Sequence, residues 1–202
     1  MSAEASDPEQ REQYAVVALA SSAGGIRALI EVLGALDADL PVPVLVVQHL
    51  DPRHSTVLAE ILARRSPLKV KLAQAGEHAG PGTVYIAPPN RHLLVGADGV
   101  LTLSDSELVH FVRPSADLLF ESVAGAFGAR AIACVLTGSG SDGSMGVDAV
   151  KSRGGTVIVQ DPATAEFKGM PEAAVGTRAA DFVLPLDEIP AVIRGLVETK
   201  EP

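Results

Sequence analysis

Apolar positions along this chain fall into two kinds of run, and their alternation predicts the architecture. Short continuous runs of Val, Ile, Leu and Ala read as strands buried on both faces: Ala15 to Ala20, Pro43 to Val47, Ala131 to Leu136 and Thr156 to Gln160. Between them, apolar residues recur three and four positions apart, the mark of amphipathic helices. Ile26, Leu29, Ile30 and Leu33 mark the first. Val57, Leu58, Ile61 and Leu62 mark a second, from Ser55 to Arg65 with Ser55 as its cap. Pro114 and Ser115 open a third that runs to Phe127, with Leu118, Leu119, Ser122 and Val123 on one face. A fourth runs from Ser144 to Arg153. The closing helix runs from Leu186 to Lys200, with Ile189, Val192, Ile193 and Leu196 inward.

Shorter elements fill the rest. Lys69 to Ala73 alternates and predicts an exposed strand, and Thr83 to Ala87 a strand stopped by Pro88, Pro89 and Asn90. His92 to Val95 and Val100 to Leu103 flank Gly96-Ala97-Asp98-Gly99, a hairpin pattern. The middle third is therefore expected to be small antiparallel decoration. Asp161 to Pro171 reads as a Pro- and Gly-punctuated connection, with a last strand at Asp181 to Leu184. Strands alternating with helices predict an α/β fold: a doubly wound, mostly parallel sheet, Rossmann-like and three-layered, with one small antiparallel hairpin. The polar, acidic residues 1–13 are expected to be a loose tail before a single domain over 14–202.

Composition narrows the class. The chain has 202 residues and a formal charge of −9, which argues against nucleic acid and anionic membrane as partners, since both call for basic patches. Arg64, Arg65, Lys69 and Lys71 read as an ordinary solvated face. The single cysteine, Cys134, excludes an internal disulfide and falls in an apolar run as a small buried hydrophobe. With no apolar leader and no stretch of membrane-spanning length, the expected location is the cytoplasm.

The chemistry begins where the first strand ends. Ser21, Ser22, Ala23, Gly24 and Gly25 form a tight turn into the first helix, where free N–H groups and the helix dipole favour a developing negative charge. On this stretch alone a capping role for the serines outweighs a catalytic one, because capping serines are far more numerous. Three strand ends, however, carry reactive side chains on one edge of the predicted sheet: Ser22, His49 and Asp142. A serine needs a base, and an imidazole needs a carboxylate to set its tautomer. His54, His78, His92 and His110 compete with His49, and Asp51 and Asp161 with Asp142. The glycine-rich loop around Ser139 and Gly140 offers free N–H groups for an oxyanion. It lacks the lysine of a phosphate loop and the full dinucleotide fingerprint, and the histidines show no metal-ligand spacing, so no metal or cofactor is expected.

Six stretches then identify a resemblance: VALASSAGGIRAL, VVQHLDPRHS, VYIAPPNRHLLV, VRPSADLLFESVA, VLTGSGSDGSMGVDAVKSRGG and QDPATAEFKGMPEAAV. Together they resemble the catalytic domain of the CheB-type chemotaxis receptor methylesterases, in that family's order, from Tyr14 onward. The resemblance implies Ser22 as nucleophile, by register with Gly24-Gly25, with His49 as base and Asp142 as its orienting acid. It implies hydrolysis of glutamate γ-methyl esters on the cytoplasmic helices of chemoreceptors, and deamidation of receptor glutamines, without a cofactor. Ala23, Ser139 and Gly140 are expected to support the oxyanion, and Arg113 and Met170 to face the substrate. Arg53, Arg113 and Lys168 are candidates for a neutral or basic rim.

The chain departs from the family pattern in places. Ala23 stands where many relatives have Thr, Ser141 where Asn is common, and Phe167-Lys168 where a more apolar pair is usual. Only a short tail precedes the first strand, where typical members carry a receiver domain. Control is therefore expected to come from a separate receiver or methyltransferase protein or to be lacking, unless the chain is a piece of a longer one. Two rival functions are a non-catalytic scaffold that keeps the methylesterase fold and a nucleotide-binding domain. Intact Ser22, His49 and Asp142 weigh against the first, and the missing fingerprint against the second.

Overall fold

The computed structural model describes residues 13–51 and 56–198. Strand–helix alternation produces β1 (Val16–Ser21), α1 (Gly25–Gly34), β2 (Val44–Gln48), α2 (Leu58–Ala63), β3 (Lys69–Leu72) and β4 (Thr83–Ile86). A hairpin follows, β5 (His92–Val95) and β6 (Leu101–Ser104), then α3 (Ala116–Phe127), β7 (Ala131–Val135), α4 (Ser144–Ser152) and β8 (Thr156–Gln160). The chain closes with α5 (Gly169–Gly176), β9 (Phe182–Leu184) and α6 (Ile189–Val197). The main sheet is parallel, in the order β3-β4-β2-β1-β7-β8-β9, and only β5 and β6 pair antiparallel.

Period-2 alternation gives the sheet its two covered faces. Val16, Ala18 and Ala20 of β1, with Leu45 and Val47 of β2, join the core under α3, α4 and the hairpin. Val17 and Leu19, with Val44 and Val46, join the core under α1, α2 and α6. A parallel strand buried on both sides must be apolar at every position, which is why these runs read continuously in the sequence. β7 is asymmetric: Ala131 and Ala133 are small on the α3–α4 side, while Ile132 and Cys134, with Leu136 just beyond the strand, fill the other. Cys134 is fully buried, and burial pushes its thiol well up from the ordinary value.

Strand order reverses between β1 and β7, because the β1–α1–β2 crossover and the β7–α4–β8 crossover put their helices on opposite faces. Such a switch point opens a crevice at the carboxyl ends of the strands.

The structure corrects several details. β3 and β4 extend the main sheet rather than decorating it, so the antiparallel pairing is that of β5 with β6, beside isolated bridges at His78–Val100 and Val109–Val112. α5 lies where a connection and undefined chain were expected; Pro171 stands in its first turn, where the missing N–H costs nothing, and Met170 and Ala174 are buried beneath it. In α1, Ile26 is exposed, and Ala28 and Val32 turn inward with Leu29 and Leu33. Val57 precedes α2 as an exposed residue. The closing helix starts at Ile189 after a single 3₁₀ turn, with Ile189, Ile193 and Val197 inward. The tail over 1–12, the Ser55 cap, Arg53, His54 and Lys200 lie outside the described residues.

Candidate active site

Strand register decides which of two adjacent serines is available. Ser21 pairs with Gln48 across β1 and β2, and the His49 N–H donates to the Ser21 carbonyl at 3.1 Å. Continued one step past both strand ends, the same alternation assigns Ser22 and His49 to the α3–α4 side, where Ala20 and Val47 also point. Ser21 points the other way. It is fully buried, and its Oγ donates to Gln48 Oε1 at 2.6 Å. Gln48 Nε2 in turn donates to the carbonyls of Ser22 and His49, both at 2.9 Å, so one buried amide ties the two strand ends together.

The turn around Ser22 is built from glycines for space. A Cβ on Gly25 would stand 2.1 Å from Gln48 Oε1 and 2.7 Å from the Ser21 Oγ. Gly24, in the left-handed region at φ 73, turns the chain into α1. A Cβ on Gly138 would stand 2.2 Å from Met170 Sδ and 2.9 Å from Ser22 Cβ, so this loop passes between the two side chains.

His49 is the histidine that meets an acid at this crevice. Its Nε2 lies 2.7 Å from Asp142 Oδ2, with the imidazole 14% and the carboxylate 4% exposed. Asp142 is held on the N-terminus of α3. Its Oδ2 accepts the Ala116 N–H at 2.7 Å, and its Oδ1 accepts the Asp117 N–H at 3.0 Å and the Ser115 hydroxyl at 2.9 Å. Burial alone would raise this carboxyl. The bonds from His49, Ala116 and Asp117 outweigh it, and the net shift is downward. An ionised Asp142 makes Nε2 the protonated nitrogen of His49, which leaves Nδ1 with the lone pair.

Other candidates are placed differently. His92 is fully buried, with Nδ1 accepting the Ser115 N–H at 3.1 Å and Nε2 donating to the Glu107 carbonyl at 3.0 Å, so it braces the start of α3. The His78 carbonyl accepts from the Tyr85 hydroxyl at the hairpin base. Asp161 caps its own turn through Ala163 N–H at 2.9 Å. Asp51 is exposed just beyond β2.

Among the described residues, the N–H groups of Ala23, Ser139 and Gly140 donate to no protein acceptor. The Ser22 N–H is taken by the Thr137 carbonyl at 3.0 Å, and the Gly138 N–H by Phe167 at 2.9 Å. Ser139 and Gly140 are exposed at the crevice mouth.

Two expected substrate contacts are placed differently. Met170 is 1% exposed and belongs to the core under α3 and α4, so it is a buried wall behind Ser22 and Gly138 rather than a surface facing substrate. Arg113 is occupied within its own loop: Nε and Nη2 donate to Asn90 Oδ1 at 3.0 and 2.8 Å, and Nη1 to the Asp105 and Ser106 carbonyls at 2.9 and 2.7 Å. Of the expected rim cations, Lys168 pairs with Glu172 at 3.1 Å.

Sequence reasoning missed Gln48, Thr137 and Asp117. Thr137 Oγ1 donates to the Ala23 carbonyl at 3.1 Å and accepts the Phe167 N–H at 2.8 Å, fastening the nucleophile turn to the loop before α5. Gln48 lies beside His49, but none of the three carries a pattern of its own. A separate cleft of 440 Å³ on the α1 side is lined by Gly24, Thr137, Gln160 and Glu166, and none of the three candidate residues lines it. No cluster of His, Cys, Asp and Glu suited to a metal ion occurs among the described residues. Nor is any helix among them long and apolar enough to cross a membrane.

Comparison with known proteins bears on this geometry. The CheB methylesterase family model matches residues 17–193. The crystal structure of the Thermotoga maritima CheB methylesterase catalytic domain superposes with a TM-score of 0.88 at 39% identity, covering 92% of this chain and 100% of that one. A Leptospira interrogans protein named for glutamate methylesterase and glutamine glutaminase activities is 39% identical over 87% of this chain and 91% of the relative. The protein-glutamate methylesterase/protein-glutamine glutaminase 2 of Anaeromyxobacter dehalogenans is 43% identical over 94% of this chain. There the chain spans 55% of the relative's length.

Proposed function

Because the chain belongs to the CheB methylesterase family, we propose that it hydrolyses glutamate γ-methyl esters on chemoreceptor helices, with Ser22 as nucleophile, His49 as base and Asp142 as its orienting acid. The observation that carries this reading is the 2.7 Å bond between His49 Nε2 and Asp142 Oδ2, on the side of the sheet to which strand alternation assigns Ser22. Ser22 Oγ attacks the ester carbonyl while its proton passes to His49 Nδ1. The imidazolium that forms is stabilised by Asp142, which stays ionised. The tetrahedral oxyanion falls to the unoccupied N–H groups of Ala23 and Gly140. Collapse breaks the bond to the methoxy oxygen, which takes the proton from Nδ1 and leaves as methanol. Water then attacks the glutamyl–serine ester with Nδ1 again as base, releasing the glutamate carboxylate and restoring Ser22. Glutamine deamidation follows the same course with ammonia as leaving group, in keeping with the paired activities in the relatives' names.

Substrates of this kind place the protein in the cytoplasm. Control by a receiver or methyltransferase protein belongs to the same reading. A phosphorylated receiver that leaves the rate unchanged would remove the receiver arm. The central test is methanol release from a methylated chemoreceptor fragment, comparing wild type with Ser22→Ala. Release by the wild type alone establishes reaction class and nucleophile together. Equal release by both proteins refutes the assignment.

A further inference from the structure

Helices α3 and α4 exchange their caps. α4 is preceded by Gly143, which sits at φ 100 and has no side chain with which to cap, and the helix's first turn contains no acid. The missing acceptor comes from α3: Asp117 Oδ1 takes the N–H of Gly143 at 2.9 Å and of Gly146 at 2.8 Å. In return, Asp142, the residue before Gly143, takes the first N–H groups of α3, including that of Asp117 itself. The result is a closed ring. The Asp117 N–H holds Asp142 Oδ1, a peptide bond joins Asp142 to Gly143, and the Gly143 N–H returns to Asp117 Oδ1. The helices must touch for this to work, and Gly146 permits it, since a Cβ there would stand 2.6 Å from Phe120 Cβ and 3.1 Å from the Asp117 backbone.

The second oxygen of Asp117 stands apart. Oδ2 is buried and has no hydrogen bond among the described residues, with His110 Nε2 3.6 Å away. We propose that Asp117 is a positioning residue for the esterase reaction: by capping α4 across the helix pair it fixes the carboxylate of Asp142 against His49. This deepens the triad reading and rests on it. Burial, with a contribution from the charge on Asp142, pushes the Asp117 carboxyl up, so a neutral side chain of the same shape is its appropriate mimic. Both N–H bonds end on Oδ1, which an asparagine carbonyl reproduces.

The experiment compares wild type, Asp117→Ala, Asp117→Asn and Asp142→Asn in methanol release. It also follows the downfield proton resonance of the His49 Nε2–H bonded to Asp142, recorded well below the melting temperature of each protein. Asp117→Ala is expected to lower kcat about 10- to 100-fold with KM little changed, the scale of a small displacement of a catalytic group. The resonance should move upfield or vanish. Asp117→Asn should rescue both, to within about threefold of wild type in kcat. A residue that merely adds stability would lower the melting temperature and leave the resonance in place.

Wild-type kcat and resonance in Asp117→Ala would overturn the proposal. So would an Asp117→Asn protein that folds but has lost the resonance, a result that decides the matter even if the alanine variant does not fold. The two levels of inference fail separately. Undiminished methanol release by Asp142→Asn would remove the triad itself, whereas an inactive Asp142→Asn beside a fully active Asp117→Ala removes only this role.

Discussion

Ser21 and Ser22 are adjacent, both hydroxyls at the end of the same strand, and their surroundings are opposite. Ser21 is sealed on the α1 face, its one proton given to Gln48 and its volume enclosed by Gly25. Ser22 stands half-buried on the α3–α4 face, and among the described residues its hydroxyl has no hydrogen-bond partner, while the neighbouring strand supplies an imidazole. The same contrast continues at the end of β2, where Gln48 spends its whole amide on strand ends and, among the described residues, His49 Nδ1 has no hydrogen-bond partner. A fully satisfied hydroxyl contributes to stability and has nothing left to react with. One step along a strand, which reverses the facing, separates the two fates.

The contrast can be broken by substitution. Ser22→Ala carries the largest expected effect: methanol release should fall by at least about 10⁴-fold, with the melting temperature nearly unchanged. Asp142→Asn comes next, at about 10⁴ in kcat, the scale known for the analogous change in a serine protease, because the amide favours the wrong imidazole tautomer. A kcat within tenfold of wild type would remove Asp142 from the mechanism.

On the sealed face the losses should appear in stability. Gly25→Ala forces a methyl into the Ser21–Gln48 bond and should cost about 2 kcal/mol or more in urea unfolding, as overpacking does. Ser21→Ala should be mildest, leaving kcat within about threefold while lowering stability by about 1–2 kcal/mol through the orphaned Gln48 carbonyl. A large loss of kcat with unchanged stability in Ser21→Ala would reverse the assignment of the two serines.

Acid titration sharpens a second contrast, between Asp142 and Asp117. Asp142, bonded to His49 and to the first turn of α3, has a folded pKa below the ordinary carboxylate value of about 3.9. Its contribution to stability is therefore present above that value and is lost as pH falls through the folded pKa. Asp117, raised by burial and by the charge on Asp142 against the lowering effect of its N–H bonds and of His110, has a folded pKa above that value. Its contribution is present below about 3.9 and is lost as pH rises through its folded value. Denaturant unfolding between pH 3 and 7 should show the deficit of Asp142→Asn shrinking toward the acid end. A deficit independent of pH would mean that Asp142 holds α3 without its charge.

Much of this was legible in the chain. Val16 to Ser21, Val44 to Gln48 and Ala131 to Val135 announce themselves because a strand buried on both faces must be apolar throughout. Once these are parallel strands, Ser22, His49 and Asp142 are bound to emerge at one edge, and the motifs around them identify the family. α5 was not legible, since Gly169, Pro171 and Gly176 weaken the helical pattern and its stability comes from packing Met170 and Ala174 onto the core.

Burial patterns and local motifs are properties of neighbours in the chain, and the sequence by itself determined them: the layered parallel sheet, the turn after β1, the set of reactive side chains and their family. Which nitrogen of His49 meets Asp142, the diversion of Arg113 into its own loop, the withdrawal of Met170 into the core and the exchange of caps between α3 and α4 were decided only by the tertiary structure. Each depends on a hydrogen bond or contact between residues far apart in the chain, where no periodicity reaches and only packing sets the distance.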